Sequence, residues 1–294
     1  MSSSYPTLLD ELGRGAPIQL HGLGGGCIAE AAVAEFADGS RVFVKRAAGQ
    51  PGMFEAEAAG LSALAETGSI RVPRVLAVSE GALVLEMIEA APRAPGFFED
   101  FGRRFASLHQ HRGKACGFTE DNFIGSTPQL NQPLDGPWER AAEDDGHGWP
   151  EFFLERRLRY QVERAARRGG DLARLLDRAE RRIFELLGSA TEPPVILHGD
   201  LWSGNYIVDD RGEACLIDPA VYFGHREADL AMTRLFGGFD RDFYAAYEEA
   251  SPLPAGHQER LPIYQLYHVL NHFNLFGGGY YEQSSRILRR YASG

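Results

Sequence analysis

The stretch His198-Gly-Asp-Leu-Trp-Ser-Gly-Asn205, followed by Leu216-Ile-Asp-Pro219, decides how the chain is read. It carries three oxygen-bearing side chains suited to chemistry: Asp200, Asn205 and Asp218. Tyr206–Val208 and Ala214–Ile217 are apolar runs on either side of a polar, glycine-bearing turn, so a β-hairpin is predicted between Asn205 and Asp218. Folding that hairpin returns Asn205 and Asp218 to one end, near Asp200. A carboxylate and an amide oxygen placed together suit Mg2+, a hard cation that takes oxygen ligands. The other carboxylate is left to receive or orient a hydroxyl proton. Phosphoryl transfer needs this arrangement, because positioning and charge neutralisation supply most of its catalysis. A surface loop with capping acids is the bland reading, and the coincidence of the octapeptide with the later Asp disfavours it.

Working back toward the N-terminus, Gly22-Leu-Gly-Gly-Gly-Cys-Ile28 reads as a loop entering the first strand. Consecutive glycines let backbone N–H groups approach phosphate oxygens that a Cβ would hold off. The loop is neither a Walker A motif nor a clean G-x-G-x-x-G, since Cys27 stands at the sixth place, and alone it is equally a plain turn. Lys45 ends the strand Val42-Phe-Val-Lys45 and follows the loop at the spacing of a hairpin, which brings its ammonium over bound phosphates. An acid on the next helix would hold it there. Glu55 and Glu57 are both available, and Glu57 is preferred because Leu61 and Leu64 follow it at helical spacing.

The surrounding pattern separates two regions. Ala29–Phe36 and Arg41–Lys45 flank the turn Ala37-Asp38-Gly39-Ser40; Met53–Thr67 has helical periodicity; Val75–Val78 and Ala82–Ile88 flank Ser79-Glu80-Gly81. The connector Glu89-Ala-Ala-Pro-Arg-Ala-Pro-Gly96 places a boundary that divides the chain into 1–89 and 90–294. Beyond it helices dominate: Phe97–Gln110, Pro150–Ala166, Asp171–Leu187, Glu227–Phe236, Asp240–Ala250, Arg260–Phe276 and Glu282–Tyr291. Gly113–Gly148, rich in Gly, Pro, Asn and Gln, is too long for an idle connection and is a candidate functional loop. The layout is α+β: a small β-rich lobe with one helix, then a larger, mainly helical lobe.

Composition narrows the class further. The 294 residues carry a net charge of −11, which argues against nucleic-acid and membrane partners. No apolar run approaches the length of a membrane span, and the N-terminus has no basic, then apolar, leader pattern, so a cytoplasmic protein is expected. Three cysteines are too few and too scattered for a disulfide framework or a Cys-based zinc site.

Together these residues resemble the protein-kinase-like superfamily, and more narrowly the fructosamine kinase (ketosamine-3-kinase) family. The resemblance is carried by Gly24-Gly-Gly-Cys-Ile28, Val42-Phe-Val-Lys45, Met53-Phe-Glu-Ala-Glu-Ala-Ala-Gly-Leu61 and Gly117-Phe-Thr-Glu-Asp-Asn-Phe-Ile-Gly125. It continues through His198–Asn205, the run from Ile217-Asp-Pro through Gly224-His-Arg-Glu-Ala-Asp229, and Leu266-Tyr-His-Val-Leu-Asn-His-Phe-Asn-Leu-Phe-Gly277. Trp202 and Gly224–Asp229 separate it from the aminoglycoside and choline kinases, which share only a sparser pattern. The resemblance implies a two-lobed kinase-like fold, with 1–89 as the ATP-binding lobe and 90–294 as the catalytic and substrate lobe. It implies Asp200 as catalytic base, Asn205 and Asp218 as Mg2+ ligands, and Lys45, paired with Glu57, on the α/β phosphates. The Gly24, Gly25, Gly26 and Cys27 backbone would cover those phosphates, and main-chain groups of Glu86, Met87 and Ile88 would bind adenine. Trp202 is placed to stack on the ketosamine or its amino-acid part, with a core role as the competing reading. His198 and Asp229 give structural support, Asp229 by fastening the catalytic loop from the start of a helix. The implied reaction moves a phosphoryl group from ATP to the 3-hydroxyl of ketosamines, free or on glycated proteins, which leads to deglycation. A monomer or weak homodimer is expected.

Other features compete for a role. A kinase for an aminoglycoside or amino alcohol, and a non-catalytic nucleotide-binding pseudokinase, remain open; the intact Lys45, Asp200, Asn205 and Asp218 speak against the pseudokinase. Cys27 in a glycine loop is a candidate redox switch of the ATP site. His268 and His272 stand four apart on a helix, and their aromatic neighbours favour hydrogen-bonded structural histidines over a metal site. Arg156-Arg157 and Arg164–Arg168 read as solvated helix faces.

Overall fold

Alternation along the strands is what places the site. A computed structural model describes residues 8–9, 12–13, 15–23, 30–46 and 51–292. Within it, strands β1 (Gln19–Leu23), β2 (Glu30–Glu35), β3 (Arg41–Arg46), β4 (Val75–Ser79) and β5 (Ala82–Glu86) form one antiparallel sheet in the order β1-β2-β3-β5-β4. Successive side chains of a strand point to opposite faces. On β3, Val42 and Val44 join Ala82 and Val84 of β5 in a cluster that also takes in Leu8, Leu9 and Phe36. The alternate residues Phe43 and Lys45 face the other way, where Leu83 and Leu85 meet helix α1 (Met53–Glu66) through Phe54, Leu61 and Leu64. Lys45 is therefore delivered to the helix-bearing side of the sheet by the pleat alone.

The β2–β3 turn follows its sequence signal: Asp38 accepts from the Ser40 N–H at 2.9 Å, and Gly39 takes φ 79°. The glycine-rich reading of 22–28 needs correction at its start. Gly22 and Leu23 belong to β1, because they are laddered to Ala32 and Ala31. Gly24–Cys27 lie outside the described residues.

The second region is built on helices: α2 (Phe97–Leu108), α3 (Trp149–Phe152 continuing through the π-wound Phe153–Arg159 to Tyr160–Ala165), α4 (Leu172–Gly188), α5 (Glu227–Leu235), α6 (Arg241–Ala250), α7 (His257–Phe276) and α8 (Tyr280–Tyr291). α2 and α6 approach closely at Gly102, where a Cβ would be driven into the Phe243 carbonyl. α3, α4, α7 and α8 enclose a core around Trp149, whose indole N–H donates to the Tyr264 hydroxyl at 3.1 Å. Three two-stranded pairings of three-residue strands complete the picture: β6 (Asn122–Ile124) with β7 (Thr127–Gln129), β8 (Val195–Leu197) with β11 (Tyr222–Gly224), and β9 (Tyr206–Val208) with β10 (Ala214–Leu216).

Residues on either side of position 89 share one core: Leu61, Leu83 and Leu85 pack in the same cluster as Phe101, Phe105, Leu216 and Phe243. The basic run at Arg156-Arg157 is also corrected. Arg157 is fully buried, donates to Asn131 Oδ1 at 2.8 Å, and lies 4.1 Å from the centre of the Tyr222 ring. Its solvation is replaced by carbonyl and aromatic partners supplied from distant segments. Among the described residues, no helix is long and apolar enough to cross a membrane.

Candidate active site

The catalytic-loop sequence is held by backbone geometry before any of its side chains act. β8 delivers the chain to His198, and the Asp229 carboxylate, in the first turn of α5, accepts from the His198 N–H at 2.7 Å and the Gly199 N–H at 2.8 Å. His109 reaches the same carboxylate at 3.3 Å. Burial works against the charge on Asp229, but the His109 and His198 rings and the Gly199 N–H more than offset it and hold the carboxyl below the ordinary aspartate range. Burial keeps the His198 ring below its usual pKa; its Nε2 lies 3.0 Å from the Ile217 carbonyl oxygen, and its Nδ1 accepts from the Asp200 N–H at 3.3 Å. At Gly199 the chain turns with φ 82°, and a Cβ would strike the Ala220 carbonyl.

The hairpin brings Asn205 and Asp218 to the same end. Tyr206 pairs with Leu216, and the Ile217 N–H donates to the Asn205 carbonyl at 3.0 Å, one step beyond the ladder. Asn205 Nδ2 donates to the Asp200 carbonyl at 2.8 Å and faces its Oδ2 at 3.3 Å. Asp218 has φ 54°, the single non-glycine residue with positive φ among those described, a backbone state that L residues hold only under constraint.

From the sheet, Lys45 Nζ donates to Glu57 Oε1 at 2.6 Å and also bonds Asp218 Oδ1. Burial opposes the ammonium charge, yet Glu57 and Asp218 together hold its pKa above the usual lysine value. Glu57, rather than Glu55, is thus the partner. Asp200 is different: burial, and then the nearby charge of Asp218, push its carboxyl well above the ordinary range.

These groups line one cavity of about 650 Å³, with Lys45, Asp200, Asn205 and Asp218 on its polar wall. Phe43, Leu85, Met87 and Ile88 supply an apolar end, where β5 runs out. The Glu86 side chain is turned to Arg71, at 2.9 Å, and its N–H is given to the Arg74 carbonyl at 2.9 Å. A planar base at this edge would therefore draw on the Glu86 carbonyl and the backbone of Met87 and Ile88. Trp202 is 38 % exposed and on the cavity wall, edge-on to Phe236 at 6.1 Å between ring centres, which removes the core reading of this residue.

The fructosamine kinase family model matches residues 5–293. The chain belongs to the fructosamine kinase family. It is 43% identical over 275 residues to a Synechocystis protein assigned as a ketoamine kinase, covering 90% of this chain and 88% of that one. It is 40% identical to the chloroplastic protein-ribulosamine 3-kinase of Oryza sativa, over 92% and 77% of the two chains. A crystal structure assigned as a fructosamine-3-kinase from Thermobifida fusca superposes with a TM-score of 0.85 at 33% identity, over 99% of each chain. The chain is a kinase of protein-kinase-like fold.

Sequence reasoning missed several parts of this kinase. The Gly113–Gly148 segment sends β6 and β7 under the loop after Asp218: Asn122 donates to the Val221 carbonyl at 2.7 Å and Gln129 to the Ala220 carbonyl at 3.0 Å. Asn122, Phe123 and Gly125 also line the cavity. The polar composition of the segment signalled a role without saying which side chains reach inward. His268, read as a hydrogen-bonded structural histidine, instead has a buried Nδ1 without a partner. His272 follows the expectation, its Nδ1 lying 2.8 Å from the His268 carbonyl oxygen. Among the described residues, no three His, Cys, Asp or Glu side chains gather as a metal site.

Proposed function

We propose that the protein is an ATP-dependent ketosamine 3-kinase that phosphorylates fructosamine- or ribulosamine-type adducts, free or on protein amines. The observation that carries this reading is the convergence of Lys45, Asp200, Asn205 and Asp218 on one cavity, in a chain of the fructosamine kinase family. Residues 1–89 are taken as the lobe that carries the nucleotide, and 90–294 as the lobe that carries the acceptor.

Asp200 acts as the base: its carboxylate takes the proton of the acceptor hydroxyl as that oxygen bonds to the γ-phosphorus and the bond to the β,γ-bridging oxygen breaks. Lys45, held by Glu57, pairs with phosphate oxygens, and the Gly24–Cys27 backbone, outside the described residues, covers them. The residues present fit Mg2+: Asp218 offers carboxylate oxygens and Asn205 its Oδ1, the Nδ2 being given to Asp200, and a cation beside Asp218 relieves the like-charge pressure that raises Asp200. When bound, the ion neutralises phosphate charge as it develops. His198 and Asp229 keep the loop backbone in place, and Trp202 offers a face to the sugar or its amine-bearing part.

The reading is tested by coupled ADP release against ribulosamines, fructosamines, glycated lysine and aminoglycosides, with the phosphorylated position read by NMR. Ketosamine-dependent ADP release and a 3-phosphate product are expected. Turnover with aminoglycosides alone overturns it.

A further inference from the structure

Helix α7 crosses the catalytic loop so that His268 faces Asp200. The His268 ring is buried, and its Nδ1, which has no hydrogen-bond partner, lies 3.8 Å from Asp200 Oδ1. Buried polar atoms are almost always paired, so an orphan beside a reactive carboxyl calls for a function. The other Asp200 oxygen, Oδ2, faces Asn205 Nδ2 at 3.3 Å. Burial, and then the neighbouring His272, hold the His268 pKa down at about 3, so the ring is neutral and carries one N–H.

We propose that His268 is a positioning residue for Asp200, its Nδ1–H donating to Asp200 Oδ1 when acceptor is bound. Hydrogen bonds in active sites are commonly long before substrate enters and tighten with it. Bringing the 3.8 Å separation to hydrogen-bond length requires a shift of about 1 Å. With Asn205 on Oδ2 and His268 on Oδ1, rotation of the carboxylate is stopped at both ends. Its remaining lone pairs are then aimed at one place, which is where the acceptor hydroxyl must sit. The neighbouring Tyr267 ring lies 5.1 Å away between ring centres, and its hydroxyl is turned to Gln129 Oε1 at 2.7 Å.

This inference rests on Asp200 being the base, which Asp200→Asn tests separately: retention of activity in that variant removes the base assignment and this inference with it. The test of His268 compares three replacements. Asparagine keeps a donor near the position of Nδ1, glutamine carries its donor farther out, and leucine has none. In His268→Leu, kcat is expected to fall about ten- to a hundredfold with KM within about twofold, the range a hydrogen bond to a charged group supplies. His268→Asn restores kcat to within about threefold of the parent, and His268→Gln stays near the leucine variant. Thermal unfolding of each variant accompanies the kinetics. Should His268→Leu fail to fold, the asparagine–glutamine difference carries the decision. A rise in KM at constant kcat, equal loss in the asparagine and glutamine variants, or parent-like kcat in a folded leucine variant overturns the proposal.

Discussion

Asp229→Asn isolates what the loop anchor contributes. The carboxylate receives two buried backbone N–H groups, at 2.7 and 2.8 Å, and each such bond to a charged acceptor is worth about 1.5–3 kcal/mol. Alanine would orphan both donors, a loss of about 3–6 kcal/mol, comparable with the whole stability of many domains, so Asp229→Ala is expected to fold poorly. Asparagine keeps one acceptor oxygen and presents an amide N–H to the other donor, so about half of that loss, roughly 1.5–3 kcal/mol, is expected. The released donor belongs to His198 or Gly199, the residues directly before Asp200. A shift of the carboxylate by a fraction of an ångström follows, and kcat should fall about tenfold or more with KM for ATP little changed. Urea unfolding gives the stability difference from the midpoint at constant slope, and coupled ADP release gives kcat. An asparagine variant within about 0.5 kcal/mol of the parent and with parental kcat would refute the anchoring argument.

Gly199→Ala places a Cβ against the Ala220 carbonyl at a φ of 82°, so a destabilisation of at least about 2 kcal/mol with loss of most turnover is expected; a variant with parental melting temperature and activity contradicts the close approach. Arg260 and Glu227 form a buried two-pronged ion pair, at 2.8 and 2.6 Å. Arg260→Leu should cost about 3–5 kcal/mol by stranding the Glu227 carboxylate, while Glu227→Leu with Arg260→Leu recovers much of it; equal stability of the single and double variants in urea defeats that reasoning. Burial depresses the pKa of His109, His198, His225 and His268, the last to about 3. The unfolded chain therefore takes up protons first as pH falls through about 6.5, and stability is lost from there down toward the folded pKa, by about 1.4 kcal/mol per pH unit for each such histidine. The raised Asp200 carboxyl works in the opposite sense, so the measurement is made on Asp200→Asn, where unfolding free energies that stay flat between pH 7 and 5 rule this out.

The parts of the site legible in the sequence are those whose neighbours are close in the chain or set by strand alternation. Asn205 and Asp218 were readable because a hairpin returns them together, and Lys45 because it ends a strand at hairpin spacing from the glycine-rich loop. Glu57 was readable from helix periodicity. The strand Gln19–Leu23 was not, since its Gly and polar content gives no period-two signal and its register comes from β2. The strands β6, β7 and β11 were not, because Asn122-Phe-Ile, Thr127-Pro-Gln and Tyr222-Phe-Gly lack the unbroken apolar runs that made β9 and β10 readable at the same length. Helix α7 begins at His257, ahead of the expected Arg260, because Gly256 in the left-handed region and the turn before it start the helix upstream of Pro262. Arg157 looked solvated because its partners, Asn131 and Tyr222, are distant in sequence. His268 illustrates the same limit: its spacing from His272 was visible, but its approach to Asp200 depends on how one helix crosses a loop sixty-odd residues earlier in the chain.

The backbone around Asp218 explains why so many buried polar groups with no chemistry of their own surround the site. A non-glycine residue at φ 54° does not hold that state unaided. Here the segment is fixed on each side: the Ile217 N–H goes to Asn205, the Ala220 N–H to the His198 carbonyl at 2.9 Å, and the Ala220 and Val221 carbonyls accept from Gln129 and Asn122. Tyr267 then donates to Gln129 at 2.7 Å, which ties α7 to the same strap. The strap therefore joins the catalytic loop, the β6–β7 segment and α7, the helix that also carries His268. A segment rich in Asn and Gln is suited to this work, because each amide can both donate and accept and so satisfies backbone groups from two directions at once. The polar composition of Gly113–Gly148 is in this view the consequence of bracing a strained aspartate, and the position of the Asp218 carboxylate in the cavity is what that bracing maintains.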